Sequence, residues 1–256
     1  MYVFRFSDQF AGDVGERRRL LGGKGAGLVE MTGDLGLPVP PGFVISTAAH
    51  AEYKARCSLD FLRDELVAAV CRLESTVGRG LGDPVNPLVV SVRSGAAVSM
   101  PGMMDTILNL GLTEATTMGL AASTNPAFAN GCKRRFDQMF TDIVLAEVEP
   151  GSRSVPDQAW DQLGLAIEAV FRSWDSPRAV AYRGAEAIPD HLGTAVTVQA
   201  MVFGNAGEDS GTGVVFSRDP STGENVLFGD YLPNAQGEDV VAGTHDTMPL
   251  SAMGTV

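Results

Sequence analysis

Val90-Ser-Val-Arg-Ser-Gly-Ala-Ala-Val-Ser-Met-Pro-Gly-Met-Met-Asp-Thr106 places one cation at the end of an apolar run and follows it with small residues. Leu88, Val89, Val90 and Val92 predict a buried strand from Pro87 to Val92, which would hold Arg93 on a rigid element at the mouth of a cleft. Ser94, Gly95, Ala96 and Ala97 leave room for a ligand to approach the backbone. Met100-Pro101-Gly102 breaks regular structure, as a hinged flap would. A rigid guanidinium beside open backbone suits a polyphosphate, whereas a single Arg at a strand end is more often a surface ion-pair partner.

A second cation in a glycine setting favours the first reading. In Leu20-Leu-Gly-Gly-Lys-Gly-Ala-Gly-Leu28, Lys24 is flanked by Gly22, Gly23 and Gly25, and an amphipathic helix follows through Leu28, Met31 and Leu35. A glycine turn that opens a helix binds anions, because the first-turn N–H groups are free and the helix dipole is positive there. The segment is not a P-loop, which needs a glycine where Arg18 stands and Ser or Thr where Gly25 stands. Alone it could equally be a tight turn with an exposed lysine.

The chain has 256 residues, 45% hydrophobic and 20% charged, which suits a soluble α/β protein with a real core. A net charge of -12 argues against wrapping nucleic acid, yet local cations suffice for one nucleotide. Cys57, Cys71 and Cys132 are far apart and form no CxxC or Cys/His cluster, so neither a disulfide framework nor a zinc site is expected, and the metal-ligand expectation is none. The cysteines fit a reducing cytoplasm. No apolar run approaches the roughly 20 residues of a membrane helix, and the N-terminus does not read as a signal peptide, so a cytoplasmic protein without membrane or nucleic-acid partners is expected.

Along the chain, Tyr2 to Phe6 alternates like a strand and Ser7 to Arg19 reads as polar loop. Gly36-Leu-Pro-Val-Pro-Pro-Gly42 stops the first helix and crosses stiffly into a strand at Phe43-Val44-Ile45, after which Ser46 or Thr47 can cap a helix. Leu59, Leu62, Leu66, Ala69, Leu73 and Val77 mark a helical stripe. From about Thr113 to about Ile188 the pattern is helical, with Phe128, Phe136, Met139, Phe140 and Ile143 on one stripe and Trp160, Leu163, Ile167, Val170, Phe171 and Trp174 on another. At that spacing the aromatics read as core rather than as a base-stacking platform. Glu149 to Pro156 is the linker between the two stripes. After Asp190 strands are expected at Ala195–Val202, Gly213–Phe216 and Asn225–Phe228, with turns at Gly204–Gly207 and Pro220–Gly223. Met248 to Val256 carries no packing signal.

Gly22-Gly-Lys-Gly25, Pro38-Val-Pro-Pro-Gly-Phe43 and Ser91 to Thr106 together resemble the pyruvate, phosphate dikinase family. Ser173-Trp-Asp-Ser-Pro-Arg178, Val198 to Asn205, Ser210-Gly-Thr-Gly213 and Asn234 to Gly243 resemble the same family's N-terminal nucleotide-binding domain. The resemblance implies an α/β (α+β) fold, an ATP-grasp-like nucleotide-binding domain with a helical subdomain. Its expected parts are an N-terminal lobe at 1–112, the helical subdomain at 113–190 and an incomplete β-rich lobe at 191–256. It further implies that ATP with Mg2+ lies between two lobes, that Lys24 and Arg93 bind the phosphates and stabilise the transferring group, that Gly102 and Thr106 belong to a flap, and that Gln199, Ala200 and Met201 meet adenine.

Glu238 and Asp239 are possible nucleotide or metal contacts, or solvated loop carboxylates. The family's pattern continues to a Glu-Phe-Thr-Ile segment ending in Leu-Gln-Thr-Arg, and to a phosphohistidine swivel domain and a pyruvate-binding domain. None of these is in this sequence, so a domain truncated at its C-terminus is expected, with those domains as partners on the same or another chain. His50, His191 and His245 match no catalytic-histidine motif. A stand-alone nucleotide-binding module, a phosphoenolpyruvate synthase relative and an antibiotic phosphotransferase remain the alternatives.

Overall fold

The strand that carries Arg93 extends from Val90 to Ala96 (β3), beyond the apolar run that announced it. In the computed structural model the described residues are 1–10, 12–146, 154–241, 243 and 245–253. Two units divide between Met201 and Val202.

In the first unit β3 belongs to a five-stranded antiparallel sheet ordered β1-β2-β5-β3-β4, with β1 at Val3–Arg5, β2 at Gly42–Ile45, β5 at Thr194–Ala200 and β4 at Thr106–Leu110. β5 pairs with β3 from Val90↔Ala200 to Ala96↔Thr194, and this long register draws Ser94, Gly95 and Ala96 into the strand instead of leaving them as loop. Arg93 therefore sits mid-strand, opposite Thr106 on β4 and Thr197 on β5. The strand expected with the later β-rich segment is in fact central here, because every residue of β5 is buried between β2 and β3.

Strand alternation divides the sheet into two faces. Val92, Ala96, Val196, Val198, Phe43 and Ile45 share one face and are all buried. Ser91, Arg93, Gly95, Thr197 and Gln199 share the other with Val44 and Ala195, and α1 (Val14–Val29) packs there. Leu21 and Val29 of α1 join Phe6, Val44 and Ala195 in one apolar cluster. The loop expected over Ser7–Arg19 is shorter than the sequence reading had it, since Asp13 accepts from the Glu16 N–H and Glu16 returns a bond to the Asp13 N–H, a capping box that starts α1 at Val14. Gly22 breaks the helix with φ 69 and ψ 167, so Gly23 and Lys24 begin a second helical stretch that continues as a π-helix through Glu30–Asp34.

Helices α2 (Thr47–Arg56) and α3 (Arg63–Val77) follow β2. Ser46 stands at the N-cap of α2 without a side-chain bond, while the Thr47 hydroxyl donates to the Arg19 carbonyl at 2.8 Å. The helical region comprises α4 (Glu114–Ser123), α5 (Pro126–Ile143), α6 (Ala159–Ser173) and α7 (Pro177–Ala185). Phe128, Phe136 and Phe140 on α5 and Leu163, Ile167, Val170 and Phe171 on α6 are buried, as core-forming stripes should be. α6 packs on β3, β4 and β5, so these helices and the sheet share one unit. Residues Glu149–Arg153 of the expected linker lie outside the described residues.

The second unit holds β6 (Gly211–Phe216), β7 (Phe228–Pro233) and β8 (Met248–Pro249) in an antiparallel sheet with α8 (Gly237–Val241) against it. The β6–β7 hairpin closes through a turn in which the Gly223 N–H reaches the Asp219 carbonyl at 2.8 Å. The third strand starts at Phe228 and not at Asn225, because Phe216 already pairs with Phe228 and Asn225–Leu227 fall in the connection. Met248 and Pro249 pair with Tyr231 and Asp230, giving the segment thought to lack packing an ordered strand, while residues 254–256 lie outside the described residues.

Candidate nucleotide-phosphate site

The face under the break in α1 brings the two cations together. A Cβ on Gly22 would lie 1.9 Å from the Gly95 carbonyl oxygen, so the turn before Lys24 rests directly on β3. A Cβ on Gly95 would in turn stand 3.7 Å from the Lys24 Cβ, which lays the lysine stem along the strand two residues from Arg93. Small residues at both positions make this approach possible.

Electrostatics mark the pair as unfinished. The Lys24 side chain reaches solvent, yet the atoms crowded around it strip part of its hydration, and this burial together with the charge on Arg93 lowers its pKa. Burial also lowers the pKa of Arg93, which stays a cation. Neither forms an ion pair with a carboxylate among the described residues. One Nη2 donor of Arg93 reaches the Gln199 Oε1, and the buried Arg93 Nε has no partner. Two neighbouring cations with a donor to spare can pair with an anion that bears several oxygens.

The remaining expected residues distribute as follows. Thr106 faces Arg93 across the β3–β4 register. Gly102 is exposed in the loop between these strands and has φ 70, a left-handed conformation that suits glycine. That loop is tethered: Met100, Met103 and Met104 pack with Trp174, Ala179 and Ile188, and Arg178 on α7 donates to the Met103 carbonyl at 3.1 Å and to the Asp105 carboxylate. Gln199 and Ala200 are interior to the sheet, where the Ala200 N–H already meets the Pro41 carbonyl at 3.0 Å, and the Met201 N–H meets the Val89 carbonyl at 2.9 Å. Asp239 is buried and accepts from the Gln236 N–H at 2.9 Å, a local turn bond, while Glu238 is exposed. His50 lies in α2, stacked on Phe171, with its Nδ1 accepting from the Thr194 N–H at 3.2 Å.

Sequence reasoning did not anticipate the tether through Arg178 or the contact between Gln199 and Arg93. The first had a local signal, for Ser176-Pro177 starts a helix whose first turn presents Arg178. The second joins residues 106 positions apart and has none.

The family model described as "Pyruvate phosphate dikinase, AMP/ATP-binding domain" matches residues 18–60 and 58–250. The pyruvate, phosphate dikinase of Clostridium symbiosum is 44% identical over 98% of this chain and 33% of that protein. That of Giardia intestinalis is 45% identical over 93% of this chain and 32% of its own length, and pyruvate, phosphate dikinase 2 of Zea mays is 43% identical over 99% and 33%. The chain thus spans about a third of the length of the curated relatives it matches. With a family model covering the β3 cation, the glycine break before Lys24 and both structural units, the chain belongs to the pyruvate phosphate dikinase AMP/ATP-binding domain family.

Proposed function

We propose that this chain binds ATP by its phosphates at Lys24 and Arg93 and serves as the nucleotide-binding part of a pyruvate, phosphate dikinase. The observation that carries the reading is the unneutralised pair itself, Lys24 depressed by burial and by Arg93, and Arg93 with a buried donor to spare. Charge that develops on a transferring phosphoryl group is stabilised by donors already in place, and such positioning accounts for most of phosphoryl-transfer catalysis.

In this reading the fold is ATP-grasp-like. Arg93 holds oxygens of the phosphate chain with its planar fork, Lys24 supplies a point charge, and the tethered loop with Gly102, ending at Thr106, closes over them. Met201, just past the end of β5, offers the edge for adenine, since Gln199 and Ala200 are enclosed by neighbouring strands. The pyrophosphoryl group passes to a histidine on another domain, breaking the bond to the α-phosphate oxygen and releasing AMP. Phosphate and pyruvate then complete the cycle to pyrophosphate and phosphoenolpyruvate on domains outside this chain. Among the described residues no three His, Cys, Asp or Glu side chains gather as a metal-binding group, and in this reading Mg2+ enters with the phosphates of the nucleotide.

No described helix is long and apolar enough to cross a membrane, and among the described residues Cys57, Cys71 and Cys132 form no disulfide. Calorimetric titration with MgATP tests the reading. The parent chain should bind, and Arg93→Ala should lose most of that affinity while keeping its circular dichroism. Equal binding by both would overturn it.

A further inference from the structure

The carboxamide of Gln199 is buried, and both of its ends are occupied. Its Nε2 donates to the Pro40 carbonyl at 2.9 Å, and its Oε1 accepts from the Arg93 Nη2. The two partners fix which end is which. A carbonyl only accepts and a guanidinium only donates, so the amide can satisfy both in one orientation and in no other. Pro40 lies in the Pro38–Pro41 crossing, where three prolines restrict the backbone, and Gly42 at its end is in register with Gln199. A stiff segment therefore holds Gln199, and Gln199 holds Arg93.

We propose that Gln199 is a positioning residue for phosphate binding, locking the Arg93 guanidinium in the plane that leaves Nε free, rather than a contact to the nucleotide base. The inference rests on the phosphate-binding reading of Arg93. Geometry supports it at each step. Gln199 is diagonal to Arg93 on the same face of adjacent strands, within reach of long side chains. A neutral amide also orients the cation without neutralising it, which a carboxylate in its place would do. The choice of Gln keeps both fork geometry and positive charge available to an anion.

The test follows the Arg93 Nε–H signal in 15N NMR of the 256-residue chain, assigned by its loss in Arg93→Lys, alongside titration with inorganic triphosphate. In Gln199→Met the Nε–H should lose protection from exchange and triphosphate should bind about fivefold more weakly, as expected when a charged group loses its orienting partner. In Gln199→Glu the signal should stay ordered, triphosphate should bind about tenfold more weakly, and the Lys24 ammonium should titrate at higher pH because the carboxylate offsets Arg93. A role in packing alone would lower the melting temperature of both variants without this division between order and charge.

The proposal is overturned if Arg93 is as protected in Gln199→Met as in the parent. Should Gln199→Met fail to fold, an unmoved Lys24 titration in Gln199→Glu overturns it instead. A parent chain that binds no triphosphate would defeat the ATP reading, and the Nε–H and Lys24 signals would still decide the role of Gln199.

Discussion

Gly22 and Gly95 touch backbone to backbone, so that a Cβ on the first would fall 1.9 Å from the carbonyl oxygen of the second. Gly22 also occupies φ 69 and ψ 167, a region open essentially to glycine alone. Gly22→Ala should therefore destabilise the chain by about 3 kcal/mol or more, combining backbone strain with a contact that only backbone movement can relieve. Gly27 gives the control, since it lies in the same helix with nothing within 4 Å of a Cβ. Gly27→Ala should stabilise by roughly 0.5–1 kcal/mol through helix propensity. Urea midpoints of the two variants should move in opposite directions, and equal shifts would show that the contact does not set the position of Lys24.

Lys24 is predicted to cost stability while serving binding. Burial and Arg93 lower its pKa, so between that depressed value and the ordinary 10.5 the unfolded chain holds a proton that the folded chain has released. Stability accordingly rises with pH through this window, and at lower pH the folded state carries the strained charge. Lys24→Met should raise the melting temperature near neutral pH while weakening MgATP. Phosphate binding should also restore the proton to Lys24, so that calorimetry at alkaline pH in buffers of different ionisation enthalpy reports proton uptake in the parent and none in Lys24→Met. Absence of uptake in the parent would separate Lys24 from the anion.

What the sequence disclosed depended on whether the physics was local. The Lys24 turn was legible because Gly22-Gly23 stands beside it, and the α5 and α6 stripes because helical spacing repeats within a few residues. The start of α1 was legible in principle, as Asp13 and Glu16 are three apart, but the arginines between them and the helix core read as loop. The length of β3 and the placement of β5 were not, since Ser94, Gly95 and Ala96 are weak strand formers that become strand by pairing with Thr194–Val196 about a hundred residues away. The same distance hid the Gln199 bridge, where a motif showed which residues recur together but not which atoms meet.

His50 supplies an acid-sensitive point in the core. Its ring is buried against Phe171 and Trp174, and its Nδ1 accepts from the Thr194 N–H. Burial first, then the Lys54 charge, lowers its pKa from 6.5 to about 4, with Asp175 and a backbone hydrogen bond at Phe171 opposing and Arg183 adding to the fall. The unfolded chain thus takes up a proton near pH 6.5 that the folded chain refuses until about pH 4. Stability present above pH 6.5 is lost as pH descends through that interval, by up to about 3 kcal/mol if the full shift acts. His50→Gln, which can still accept from Thr194, should flatten this part of the stability profile. A slope unchanged from the parent would assign the acid loss to other groups.

Arg178 restrains the loop between β3 and β4 from outside, while the methionines anchor it from within. The guanidinium spans the Met103 carbonyl and the Asp105 carboxylate, whereas Met100 is only 6% exposed and packs with Trp174 and Ala179. These two attachments should fail differently. The Arg178 ion pair is half in solvent, so Arg178→Ala should change global stability by less than about 1 kcal/mol. Local opening needs no global unfolding, however, and loss of the clasp should raise proteolytic cleavage within residues 97–105 by about fivefold. Arg178→Lys should behave much like Arg178→Ala, because a single ammonium does not reproduce the fork that meets both oxygens. Met100→Ala should instead lower global stability by about 2–5 kcal/mol, the ordinary range for such a core truncation. If MgATP protects the parent loop from cleavage and leaves the Arg178→Ala loop open, the clasp contributes to closure over phosphate; if it protects both alike, the ligand alone closes the loop.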